Sequence, residues 1–206
     1  TDDQEVPFLV NLTTISSTHT IRGEVWHASV RAQADGNVGD PLVTSNITIL
    51  NSPPSASSIG IGPAQPTAAA DLTLDLTTTD ADGDTVTIAS VRWIRDGFEI
   101  AELAGDTSVP ARLLAPGQAW MVHVTLSDGM VTTSEFSSAE VVIGNIAPVA
   151  VIIITDDPRA GLPIELDGSN STDSDGRITA YFWTIDDQSS TGSVVSVTLS
   201  AGTHDV

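Results

Sequence analysis

Two stretches of the chain alternate apolar and polar residues with a period of two. In one, Trp120, Val122, Val124 and Leu126 point one way, and Met121, His123, Thr125 and Ser127 point the other. In the other, Trp26, Ala28, Val30 and Ala32 share one side, and His27, Ser29, Arg31 and Gln33 share the opposite side. This alternation predicts half-buried strands of antiparallel sheet, with each tryptophan row turned to a core. Asp35-Gly36 and Asp128-Gly129 follow these strands and predict hairpin turns into a second Thr/Val-rich strand. No stretch carries a helical period, so the expected class is all-β.

The two patterns belong to one repeat. "GEVWHASVRAQADGNVGDPLVTSNITILNSPP" begins at Gly23 and "GQAWMVHVTLSDGMVTTSEFSSAEVVIGNIAP" at Gly117. Trp26 and Trp120 are 94 positions apart, as are Asn51 and Asn145. A unit of this size, built of short strands with Asp-Gly turns and proline-containing joints, predicts a β-sandwich. The joints are residues 49–57 and 142–150, where proline fixes the backbone and suits a stiff crossing. The expected organisation is the C-terminal part of one repeat over 1–51, a complete repeat over 52–145 and the N-terminal part of a third domain over 146–206. Such a piece of a longer repetitive protein would be strung as beads in a rod.

Charge narrows the partners. The chain of 206 residues has a formal net charge of −20, and all seven basic residues are arginine. That balance repels nucleic-acid phosphates and anionic membranes and attracts cations. Without lysine or cysteine there is no Schiff base, phosphate-loop lysine, disulfide or zinc thiolate. The apolar run at 147–154 contains a proline and is too short to span a bilayer, so no direct membrane insertion is expected.

The third segment carries Ala147-Pro148, "LDGSNSTDSDG" at 166–176 and Tyr181-Phe182-Trp183 on the following strand. In these features it resembles a PKD-type domain, a module common in prokaryotic surface proteins. That family usually continues from the tryptophan as Asp-Phe-Gly-Asp-Gly, whereas here the residues are Thr184, Ile185, Asp186, Asp187 and Gln188. The complete unit, with "TDADGDTVT", Trp93 and "LSDG", resembles the Ig-like repeats of long prokaryotic surface proteins. The resemblance implies tandem Ig-like and PKD-like sandwiches in an extracellular or cell-surface setting. It implies roles as spacer, stalk, sheath or filament subunit, or as an accessory domain of a secreted hydrolase.

The candidate chemistry is calcium. Asp80, Asp82 and Asp84 can aim three carboxylates at one point, and calcium takes about six to eight oxygen ligands. The EF-hand pattern fails, because Thr85 stands where glycine is required and Val91 where a bidentate glutamate is required. A site here would draw on Asn51 at the joint, with Asn145, Asp173 and Asp175 forming the parallel set in the third segment. The competing reading is a turn in which the aspartates accept backbone N–H bonds. The four tryptophans are expected in cores, and His19, His27, His123 and His204 are read as ordinary surface residues. Asn11, Asn46 and Asn170 begin glycosylation sequons. No nucleophile elbow or Ser/His/Asp grouping stands out, so no enzyme is expected.

The expected function is therefore a non-catalytic structural segment of an extracellular repeat protein, stiffened by calcium and partnered by copies of itself or neighbouring surface-protein domains. The alternative is an adhesin or carbohydrate-binding accessory module of a larger secreted hydrolase, with glycans as partners.

Overall fold

The computed structural model describes residues 13–154 and 157–205. Every extended element is a β-strand, and the helical elements among the described residues are one-turn 3-10 segments such as Ser17–His19 and Ala101–Leu103. The chain divides into two compact units. One comprises residues 1–58, 77–89 and 125–136; the other comprises 59–76, 90–124 and 137–206.

The first unit opens with a hairpin interrupted twice. Its strands are β1 (Val25–Trp26), β2 (Ser29–Val30), β3 (Gln33–Ala34), β4 (Asn37–Val38), β5 (Leu42–Val43) and β6 (Ile47–Thr48). They nest antiparallel, β1 with β6, β2 with β5 and β3 with β4. Trp26 faces Ile47, Ser29 faces Val43 and Gln33 faces Val38, so each interruption leaves one extra residue on the returning arm. Such insertions behave as β-bulges, which bend and twist the ribbon. The tip is Asp35-Gly36, both with positive φ (51° and 81°), the conformation of a two-residue type I′ turn.

The predicted inward row of this hairpin is corrected by the structure. Val30 is 66% exposed and Leu42 73%. Ala28 and Ala32 are also exposed, and Trp26 is half-buried. Alternation creates one apolar face, but burial needs a second layer across it, and no described part of this unit supplies one.

Residues 52–145, expected from sequence to form one repeat, contain β7 (Ser55–Gly62), β8 (Leu72–Thr79), β9 (Thr87–Arg95), β10 (Phe98–Glu99), β11 (Ser108–Val109), β12 (Ala119–Ser127), β13 (Phe136–Ser137) and β14 (Val141–Val142). They form two sheets, one ordered β11-β8-β7 and the other β10-β9-β12-β13 with β14 also on β12. Here the alternation is realised: Trp120, Val122, Val124 and Leu126 are all fully buried. In the second unit Trp93 and Trp120 meet edge to face, with centroids 6.4 Å apart and planes at 72°. The indole of Trp93 donates to the Asp106 carbonyl at 2.9 Å, so its one polar atom is satisfied inside the core.

The third segment, within the second unit, has β15 (Ile153–Ile154), β16 (Pro163–Asp167), β17 (Phe182–Ile185), β18 (Gln188–Thr191) and β19 (Val194–Thr198). One sheet runs β15-β16-β19, and β17 pairs with β18. Ile164, Leu166, Trp183, Ile185 and Val195 form a small core, with Val197 and Leu199 packed on it. Trp183 is thus the expected core residue, and its indole donates to the Gly192 carbonyl at 2.7 Å.

Candidate metal centre

The loop that leaves β8 is shaped by its own first aspartate. Asp80 Oδ1 accepts the backbone N–H groups of Asp82 at 2.8 Å and Asp84 at 3.3 Å. Gly83 takes φ 78°, which a side chain would resist, and lets the loop curl back. The turn expected of these aspartates is therefore present, but it consumes only one oxygen of Asp80. The other, Oδ2, is buried and has no hydrogen-bond partner.

The remaining carboxylates hold residues 51 and 52. Asp82 Oδ2 accepts the N–H of Ser52 at 2.6 Å. Asn51 donates from Nδ2 to the Ser52 carbonyl at 3.1 Å and to Asp128 Oδ2 at 2.7 Å. Arg22 donates from Nη1 to Asn51 Oδ1 at 2.6 Å and grips Asp84 with both Nη atoms, Nη2 lying 3.2 Å from Oδ1. Asp128 is itself fixed, its Oδ1 accepting the N–H groups of Met130 and Val131 at 2.7 Å each. All of these residues lie in the first unit.

Electrostatics follows from those bonds. The Val131 N–H, the Asn51 amide and the Met130 N–H hold the Asp128 carboxyl down at about 2. Hydrogen bonding to Asp84 raises the Arg22 guanidinium above its usual value, assisted by the charges of Asp84, Asp82 and Asp128 and opposed by burial. Three carboxylates, Asp84, Asp82 and Asp128, thus act on one organic cation. Asp80, Asp84 and Asp128 each place an oxygen within 4.8 Å of the others'. Calcium–oxygen bonds of about 2.3–2.6 Å let one ion span ligands roughly 5 Å apart, so the donor set fits a hard divalent cation. The side-chain oxygen of Asn51 accepts from Arg22, the guanidinium that also grips Asp84.

Asn51, Asp80, Asp82 and Asp84 lie in one hydrogen-bonded network, but of these only Asp80 and Asp84 converge to ligand distance, and they do so with Asp128; neither Asp128 nor Arg22 was among the expected residues. Asp128 carried one signal, its place in the Asp-Gly pair shared by both repeats. Arg22 carried none, since the matching position before Gly117 is Pro116.

The parallel set in the second unit uses the same grip with fewer charges. Asp175 Oδ2 accepts the N–H of Ile146 at 3.0 Å, and Asn145 Nδ2 donates to the Ile146 carbonyl at 2.9 Å. Asp173 Oδ1 accepts the N–H of Asp175 at 3.2 Å, and Asp175 Oδ1 is buried without a partner. A Cβ at Gly176 would stand 2.9 Å from Asp173 Oδ2, so a side chain there would make that carboxylate shift. Where the first loop has Asp84 the second has Arg177, and no third carboxylate converges on Asp173 and Asp175 among the described residues.

Of the other expected positions, Asn46 and Asn170 are exposed, and Asn11 lies outside the described residues. His123 is half-buried with Nδ1 2.7 Å from Ser137 Oγ. His204 departs from the surface reading: its side chain is only 18% exposed and its ring is paired with Asp186.

Comparison with known proteins adds a family for one segment. No curated protein matches the chain. Among solved structures, the chain is similar to the FN1–FN3 domains of chicken CNTN1, at 11% identity over 87% of this chain and 67% of that one. The TM-score of 0.33 is too low to carry any argument. Residues 145–204 match the PKD domain family, in agreement with the motifs at 166–176 and 181–183.

Proposed function

We propose that this chain is a non-catalytic structural segment of an extracellular repeat protein, and that a calcium ion stiffens the joint at Asn51. The observation that carries the reading is where the aspartates spend their oxygens. In both loops a carboxylate takes the first backbone N–H beyond the joint asparagine, Ser52 in one and Ile146 in the other. Carboxylates so used fasten a connecting segment, whereas catalytic acids and bases must face a substrate. The PKD match supports an extracellular setting, since such domains are typically surface modules. No described helix is long and apolar enough to cross a membrane.

Calcium at the first joint would be held by Asp80, Asp84 and Asp128, with Asn51 and Asp82 beside it. It would supply charge neutralisation and fixed coordination, and Arg22 would have to release Asp84 to admit it. Isothermal titration at low salt tests this: saturable calcium binding in the intact chain that Asp84→Asn weakens at least tenfold supports the site. Absence of binding at millimolar calcium overturns it.

The partners fit edge-to-edge addition, because β7 and β15 each end a sheet among the described residues, and an edge strand can take a further strand. Light scattering with and without calcium reads such self-association directly, and a monomer at every concentration eliminates it.

A further inference from the structure

We propose that Asp186 and His204 form a pH-sensitive clasp that fastens residues 200–205 to the β17–β18 turn. It is independent of the metal centre. Its starting point is an unusual loop. Ile185 pairs with Gln188, leaving Asp186-Asp187 as a two-residue connection with φ of 44° and 64°. The equivalent loops Asp35-Gly36 and Asp96-Gly97 have the same handedness but place glycine second. Aspartate adopts that conformation less readily than glycine, so the turn gains from support outside it.

That support comes from the chain's last described residues. Asp186 donates its N–H to the Asp205 carbonyl, and Asp205 returns its N–H to Asp186 Oδ1, both at 3.1 Å. The same reciprocal pair occurs within residues 52–145. Asp96 donates to the Ala119 carbonyl at 2.8 Å, and the Ala119 N–H returns to Asp96 Oδ1 at 2.9 Å. The third segment adds a histidine to this device. His204 Nδ1 lies 2.5 Å from Asp186 Oδ2, and Nε2 lies 3.0 Å from the Ser200 carbonyl.

Both partners of the ring are acceptors only. A neutral imidazole has one N–H and satisfies one of them; the imidazolium has two and satisfies both. The geometry therefore belongs to the protonated ring. The charged group facing the ring is Asp186 on the turn, and the next residue after His204, Asp205, bonds to that turn through its backbone. The pairing with Asp186, then the Ser200 carbonyl, raises the histidine above its ordinary value against the effect of burial. The same bond, with the Asp205 N–H, lowers Asp186. A raised histidine contributes fully below its unfolded value of about 6.5 and loses that contribution as pH rises through the folded value. On the acid side the contribution of Asp186 is lost as pH falls through its depressed value.

The test is NMR of the intact chain between about pH 5.5 and 9, following the His204 ring and the solvent protection of the Asp205 and Ala119 amides. We expect His204 to titrate above about 6.5, the free-histidine value. Asp205 protection should fall at least threefold along the same curve, with Ala119 unchanged. His204→Gln, which cannot charge, should leave Asp205 protection independent of pH. An unshifted His204, an equal loss in the glutamine variant, or parallel loss at Ala119 overturns the clasp.

Discussion

At the residue scale, the centre at Asn51 is a balance between three carboxylates and one guanidinium. Arg22 spans Asn51 and Asp84, so it occupies the position from which a divalent ion would meet the same oxygens. Arg22→Gln removes that internal cation. In chelator at low salt the variant should melt below the parent, because Asp84 loses its partner. With calcium it should gain more than the parent and bind the ion severalfold more tightly by calorimetry. Equal calcium affinity in both proteins would show that Arg22 does not compete. Asp128 supplies an acid-side readout. Its depressed carboxyl contributes stability above its unfolded value of about 3.9, and that contribution is lost as pH falls through about 2. A carboxyl-carbon titration should find Asp128 still ionised at pH 3; a midpoint near 4 would contradict the bonds assigned to it.

At the element scale, the strands differ in what their apolar faces meet. Trp93 on β9 and Trp120 on β12 are fully buried against each other, whereas Val30 on β2 looks outward. Trp93→Ala should therefore cost about 3–5 kcal/mol in urea unfolding, and Val30→Ala should stay within about 0.5 kcal/mol. Turns give a smaller test. Asp187→Gly restores the residue that a type I′ turn favours and should stabilise the β17–β18 hairpin by roughly 0.5–1 kcal/mol. These contrasts also show what was legible in sequence. The alternation at 120–127 predicted a strand and its buried side, because both are written in the same period-two pattern. The alternation at 26–32 predicted a strand face but not its burial, which depends on a layer that a local pattern does not encode. The loop 80–84 and Asn51 could be paired through the repeat. Arg22 and Asp128 could not, because their approach depends on where three separate segments end in space.

At the scale of the whole molecule, a net charge of −20 sets the response to solvent. Self-repulsion among carboxylates destabilises the folded chain, salt screens it over a Debye length of about 10 Å at 0.1 M, and a bound divalent ion cancels it locally. The chelated protein should gain thermal stability from added sodium chloride, and part of the calcium effect should survive that salt if it comes from coordination. A purely screening effect would vanish. This separates a built joint from a merely acidic surface, which would treat calcium and magnesium alike at equal ionic strength. The most direct measurement is the thermal midpoint of the intact chain at low salt, in chelator, in calcium and in magnesium at matched ionic strength. Calcium held at the Asn51 joint raises the midpoint in a way that magnesium does not reproduce and that Asp84→Asn removes; identical midpoints in all three solutions would rule the ion out.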